Sequence, residues 1–289
     1  MKITDRLEGA APCFSFEFFP PKNDEGVARL FETLAELRPF EPDYVSVTYG
    51  AGGSTQNVTV DLVRRIRDEI GIEAMAHLTC VGKTKQQLHG VLQQLRDAGV
   101  ENVLPLRGDP PRGEKCFVAT EGGFSHASQL VSYARQHFDF CLAGACYPET
   151  HTDATSAEQD MVHLKQKVDA GVDFLITQLF FDNQDYFGFV ERARAAGISV
   201  PIMAGIMPVT NVAQVKRFTK MCGASLPGSL LARLEANEAD RAKVREIGVE
   251  HATAQCRELL AKGAPGIHFY TINRSLATRE ILERLREPC

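Results

Sequence analysis

Eight times along this chain a short apolar run gives way to a polar or Gly/Pro turn and then to a longer amphipathic segment. The apolar runs are Cys13 to Phe18, Tyr44 to Thr48, Ala74 to Thr79, Asn102 to Leu106, Phe140 to Ala145, Phe174 to Leu179, Pro201 to Ala204 and Gly266 to Tyr270. Apolar positions recur at helical spacing over 26–38, 56–70, 84–98, 125–137, 156–170, 184–196, 211–221 and 240–262, with a last helix near 275–286. Gly71, Gly99, Gly171, Gly197 and Gly263 stand where left-handed caps would close helices, and the phrase Asp-Ala-Gly-Val occurs at 97–100 and again at 169–172. Strands alternating with helices imply a parallel sheet, and eight such units in 289 residues fit a closed (β/α)8 TIM barrel, one domain over residues 1–289. An open doubly wound sheet is the alternative, although no Gly-x-Gly-x-x-Gly follows the first strand. The rhythm breaks only from Met221 to Asp240, around Pro227 and Gly228.

Charge and composition narrow the partners. The net charge is −5 and no basic run is longer than Arg64-Arg65, so there is no broad basic field to grip a phosphate backbone, and nucleic acid is not expected. The first residues lack an apolar core, and no stretch reaches about 18 uncharged apolar residues, so neither a leader nor a membrane span is expected and the expected address is cytoplasmic. The eight cysteines are dispersed without a Cys-x-x-Cys pair and are expected to be reduced thiols.

In a barrel of this kind chemistry sits at the C-terminal ends of the strands. The first strand reads Phe14-Ser15-Phe16-Glu17-Phe18, and alternation puts Glu17 on the opposite face from the phenylalanines. On the helix-packed side a carboxylate would be buried without partners, so Glu17 is expected to point into the barrel mouth, where apolar neighbours suit a general acid. A structural Glu paired with an internal Arg or Lys is the competing reading. The fourth strand ends in Leu106-Arg107-Gly108-Asp109-Pro110-Pro111, which brings Arg, Asp and a Gly that permits close backbone approach to the rim together; an Arg107–Asp109 pair that only braces the loop is the alternative. After the fifth strand, Tyr147-Pro148-Glu149-Thr150-His151 leads to a capping-box pattern, Thr155-x-x-Glu158. Beyond it Asp160, His163 and Lys167 fall at i, i+3 and i+7, either a solvated helix face or a contact for ribose and phosphate. His77, Cys80 and His151 could share the rim, but without a His-x-His strand end or a His-Glu-x-x-His helix no metal is expected. No strand ends in Lys, which leaves a Schiff base unsupported.

The segments SFEFFPPK (15–22), VSVTYGAGGST (45–55), AHLTC (76–80), LRGDPP (106–111), ACYPETH (145–151), ITQLFFD (176–182), AGIMPVTN (204–211) and HFYTINR (268–274) occur in this order. Together they resemble the flavin-dependent methylenetetrahydrofolate reductases. The resemblance implies the catalytic barrel alone, since family members that append a domain binding S-adenosylmethionine are longer. It implies FAD, NADH or NADPH as donor with NADH the first choice, methylenetetrahydrofolate as substrate, ping-pong hydride transfer and a homo-oligomer. On it, Glu17 is the acid that protonates the bridging nitrogen of the folate imidazolidine ring, and Asp109 lies between flavin and pterin. Gln178 contacts the pterin, and Gln214, Phe218 and Arg274 line the substrate side. Thr48, Tyr49, Ala51, His77, Arg107, Gly108, Asp109, Ala127, Ala145, Tyr147, His151, Asp160, His163 and Lys167 contact FAD. His163 departs from the family pattern, which more often has Asn there. A flavin barrel of the proline-dehydrogenase kind and a non-catalytic barrel scaffold are the competing functions.

Overall fold

The apolar runs at 44–47, 74–79 and 202–206 are buried at every position, the environment a parallel strand meets between a barrel interior and a ring of helices. The computed structural model describes residues 1–49, 56–110, 113–114 and 117–287, with only the backbone of residues 56 and 57. The strands are β1 (Cys13–Phe18), β2 (Tyr44–Val47), β3 (Ala74–Thr79), β4 (Asn102–Leu106), β5 (Cys141–Cys146), β6 (Phe174–Thr177), β7 (Ile202–Ile206) and β8 (Gly266–Tyr270). They pair in chain order, all parallel, and β8 closes on β1, so the barrel forms and the open sheet does not.

The helices of the described residues are α1 (Ile3–Leu7), α2 (Asp24–Leu37), α3 (Gln56–Arg65), α4 (Lys85–Asp97), α5 (Ala127–His137), α6 (Ala157–Asp169), α7 (Asn183–Ala195), α8 (Val212–Cys222), α9 (Gly228–Glu235), α10 (Arg241–Ala261) and α11 (Leu276–Arg286). A turn of π-helix, Ile66–Ile70, carries α3 to Gly71. All five predicted closing glycines take left-handed φ, between +73° and +117°. The predicted cap at Thr155 moves by one residue, because the Ser156 side chain is the one that accepts from the Gln159 N–H (3.2 Å).

Two helices fall outside the predicted pattern. Short α1 sends Ile3 into the barrel floor, where the Ile3 N–H donates to Asn102 Oδ1 at 2.9 Å. Within the broken stretch 221–240, α9 lays Leu230 and Leu234 on Val212 and Val215 of α8 and Val244 and Ile247 of α10. The barrel is thus layered: Cys13, Tyr44, Met75, Leu104, Cys141, Phe174 and Met203 fill its lower interior, while Phe16, Phe18, Val45, Val47 and Leu78 pack outward against the helices. Polar inward positions are left for the upper end.

Candidate active site

Alternation along β1 turns Ser15 and Glu17 inward, as predicted for Glu17. Its carboxyl lies between two imidazoles, with Oε2 3.6 Å from Nε2 of His77 on β3 and 3.5 Å from Nε2 of His268 on β8. The neighbours are therefore ring nitrogens, not the apolar surroundings expected, and no Arg or Lys pairs with Glu17 among the described residues. Burial holds the His77 imidazole down to about 4, so the ring is neutral near pH 7 and sits beside the carboxyl without forming an ion pair. Level with Glu17 on the neighbouring strand β8, the Tyr270 phenol donates to the Thr177 carbonyl (2.7 Å) and its ring lies on Gly205. A Cβ at Gly205 would come within 2.2 Å of that carbonyl and 2.8 Å of the Tyr270 ring, so only glycine admits this arrangement. At the exit of β2 the Thr48 N–H donates to Phe18 O (2.9 Å), and Tyr49 is buried with its hydroxyl unpartnered among the described residues. Ala51 lies outside the described residues.

A second group of predicted residues gathers over β4 to β6. Arg107 donates to Asp153 Oδ2 (2.7 Å) and stacks on Phe117, so the partner of the guanidinium is Asp153, and the bracing pair with Asp109 does not form. Gly108 has φ +87°, and a Cβ there would lie 2.6 Å from Val81 Cγ2, so a side chain is both strained and obstructed. Asp109 is exposed beside Tyr147, whose phenol is pushed up to about 12 by burial first and by this carboxylate second, while the neighbouring Gln178 side chain acts in the opposite sense. Tyr147 meets His151 edge-on at 4.5 Å, and the His151 N–H donates to Asp160 Oδ2 (2.9 Å). Lys167 reaches back to donate to the Ala145 carbonyl, and burial lowers both its ammonium and the His151 imidazole below their ordinary values. The predicted triplet on α6 is thereby split: Asp160 and Lys167 turn to the site, whereas His163 is exposed and pairs only with Gln159 Nε2 (2.8 Å) among the described residues.

The remaining predicted residues frame the opening. Cys80 Sγ lies 4.0 Å from His126 O, which sets the start of α5, with Ala127, beside the β3 exit. On α8 the Gln214 N–H is capped by Asn211 (2.7 Å), and Phe218 packs in one cluster with Tyr270 and Ile272 at the β8 exit. Arg274 is exposed just beyond, its N–H donating to Thr271 O (3.0 Å). His268, Ser15 and Tyr270 are site residues beyond those predicted; the alternation Gly266, His268, Tyr270 along β8 is the signal that points at them. A groove of about 460 Å³ on the outside of α6 and α7, lined by Met161, Val162, Lys165 and Arg192, holds none of these residues, so concavity alone does not mark the chemistry.

Chemically, the mouth offers one carboxyl between buried imidazoles, a second carboxylate at the rim, and Arg107 and Lys167 on one side. The Tyr49 hydroxyl and Nε2 of His77 and His268 have no hydrogen-bond partner among the described residues. Buried polar atoms are ordinarily satisfied; the two ring nitrogens face the Glu17 carboxyl, the Tyr49 hydroxyl is left to fit a polar heterocycle, and the two cations fit an anionic tail.

The family model for methylenetetrahydrofolate reductase matches residues 2–286. The chain is 38% identical over 300 residues to methylenetetrahydrofolate reductase (NADH) 1 of Arabidopsis thaliana, an alignment covering 99% of this chain and 51% of that protein. It is 36% identical over 261 residues to 5,10-methylenetetrahydrofolate reductase of Escherichia coli (strain K12), covering 90% and 86%. The chain thus spans about half the length of the plant relatives it matches. Among solved structures, an uncharacterized Clostridium thermocellum protein that binds two copies of 5-methyl-5,6,7,8-tetrahydrofolic acid superposes with a TM-score of 0.64 over 98% of this chain and 97% of that one. At 17% identity that likeness shows the barrel alone. On a family match across nearly the whole length, together with relatives well above 30% identity, the chain belongs to the methylenetetrahydrofolate reductase family.

Proposed function

We propose that this chain reduces 5,10-methylenetetrahydrofolate to 5-methyltetrahydrofolate with a nicotinamide as electron donor and FAD as bound cofactor. The observation that carries the reading is the inward Glu17 carboxyl, shielded between His77 and His268 at the open end of the barrel. Glu17 gives its proton to the bridging nitrogen of the imidazolidine ring; the N–H bond forms as the O–H bond breaks, and the ring opens to an iminium whose exocyclic carbon accepts hydride. Asp109, an acceptor at the rim beside Tyr147 and Gln178, is placed to take hydrogen bonds from the amino edge of the pterin, and its charge acts on whatever ring stacks beside it. Phe218, Gln214 and Arg274 frame the entry on the α8 and β8 side and would seat the substrate. Tyr49, His77, Arg107, Tyr147, His151 and Lys167 would hold FAD, with the unpartnered Tyr49 hydroxyl toward the heterocycle and the cations toward the phosphates. When bound, FAD supplies a two-electron store that accepts hydride from the nicotinamide and passes it to the folate. One mouth serves both substrates, so they take turns there. The plant relatives carry NADH in their names, and NADH is the donor proposed for this chain.

The test is Glu17→Gln, followed in separate half-reactions by stopped flow. The amide keeps the shape but has no proton to give, so reduction of the flavin by NADH survives while its reoxidation by methylenetetrahydrofolate slows by about 10²–10⁴-fold. Wild-type reoxidation in that variant would overturn the acid role, and a purified protein with neither a flavin spectrum nor FAD uptake on titration would overturn the cofactor.

A further inference from the structure

We propose that Ser15 and His268 form a positioning pair for Glu17: the serine hydroxyl selects which nitrogen of the buried imidazole carries the proton, and the other nitrogen holds the carboxyl in either of its protonation states. The proposal rests on the reading of Glu17 as the proton donor.

The geometry is a chain of three side chains across the β1–β8 seam. Ser15 and His268 are register partners, and Ser15 Oγ lies 2.8 Å from His268 Nδ1. The other ring nitrogen, Nε2, lies 3.5 Å from Glu17 Oε2 and has no hydrogen-bond partner among the described residues. The ring is 1% exposed and lies between aromatic neighbours, roughly parallel to Tyr44 (22°, 6.2 Å) and edge-on to Tyr270 (89°, 5.4 Å), which fix its plane.

A neutral imidazole has one N–H to place. If the Ser15 hydroxyl donates to Nδ1, the proton sits on Nε2, which then donates to a carboxylate. If the hydroxyl accepts from an Nδ1–H, Nε2 is a bare acceptor and takes the O–H of a protonated carboxyl. Rotation of one hydroxyl therefore lets the tautomer follow Glu17 as its proton leaves and returns. Without that hydroxyl, an Nδ1–H in this buried position would go unpaired, so the ring keeps its proton on Nε2 and favours the carboxylate alone. Of the other groups facing Glu17, Ser46 on β2 carries no charge and the phenol of Tyr270 on β8 is already engaged with Thr177 O. His77 on β3, neutral near pH 7, stands 3.6 Å from Glu17 Oε2 but is untouched by a change at Ser15, so its share is constant between the variants compared.

The experiment uses the FAD-loaded enzyme. In Ser15→Ala the alkaline limb of the methylenetetrahydrofolate half-reaction moves down by about one pH unit, a loss of about tenfold above the limb. The NADH half-reaction keeps its pH profile, and Ser15→Thr, which restores a hydroxyl, brings the limb back. Nitrogen-15 shifts of the His268 ring give a second readout: the wild-type tautomer changes across the limb, and in Ser15→Ala it stays Nε2–H throughout. An unmoved limb with wild-type ring shifts in Ser15→Ala overturns the pair, as does an equal loss in both half-reactions at every pH, which marks a structural role. Glu17→Gln run alongside separates the two readings. If that variant still reduces the folate, the acid role falls and the pair with it; if it is inactive while the Ser15→Ala limb stays put, the positioning proposal alone falls.

Discussion

Replacing His77 by glutamine should flatten the acid side of the stability curve. In the folded barrel desolvation is the largest influence on this ring; the Glu17 carboxyl opposes it and His268 reinforces it, and together they hold the imidazole down to about 4 against an ordinary value of 6.5. Between those values the unfolded chain binds a proton that the native chain does not, so stability rises with pH there. The contribution is whole above about 6.5 and is lost as the pH falls toward 4. A gap of this size is worth about 3 kcal/mol in full, of which about 2 kcal/mol is gone by about pH 5. Glutamine cannot titrate, so the variant lacks this loss, whatever its stability at neutrality. Urea unfolding of both proteins at about pH 7.5 and about pH 5, at one ionic strength and one cofactor load, gives the check, because shared contributions cancel in the difference. The wild-type advantage should shrink by about 2 kcal/mol on acidification. A constant advantage would refute the neutral buried ring, and a growing one would mean that His77 is charged in the native state and ion-paired to Glu17.

Gly205→Ala forces a methyl against the Thr177 carbonyl and the Tyr270 ring, contacts of 2.2 and 2.8 Å before relaxation, and should cost about 1–3 kcal/mol or more by urea midpoint while also slowing folate turnover through the displaced ring. Lys167→Met removes an ammonium whose burial disfavours its charge, so the apoprotein should lose little stability, whereas FAD titration by flavin fluorescence should show affinity weakened by at least about tenfold. Full-strength FAD binding in that variant would remove Lys167 from the cofactor set.

Much of the barrel is legible because its strands announce themselves through local physics. A run buried on both faces must be apolar throughout, and a helix that ends on a left-handed residue favours glycine there, so β1, β3, β4 and β8 coincide with their predicted ranges and all five closing glycines hold. What fails is what local pattern does not encode. The eight residues of α9 carry too few turns to show a period, and they exist as a helix because α8 and α10 offer Leu230 and Leu234 an apolar surface. The split of the α6 triplet follows from the helical wheel itself: at about 100° per residue, Lys167 stands about 20° from Asp160 but His163 about 60°, enough to carry it out of the site and into solvent. Alternation says that Glu17 faces inward but not what it meets, because its partners come from strands far away in the chain. Closure supplies the missing term: in a ring of eight strands taken in order, the last must pair with the first. The inward set of β8, Gly266, His268 and Tyr270, then lies beside the inward set of β1, Cys13, Ser15 and Glu17. An imidazole next to Ser15 and below Glu17 is thus a consequence of parity and topology together, and neither alone would place it there.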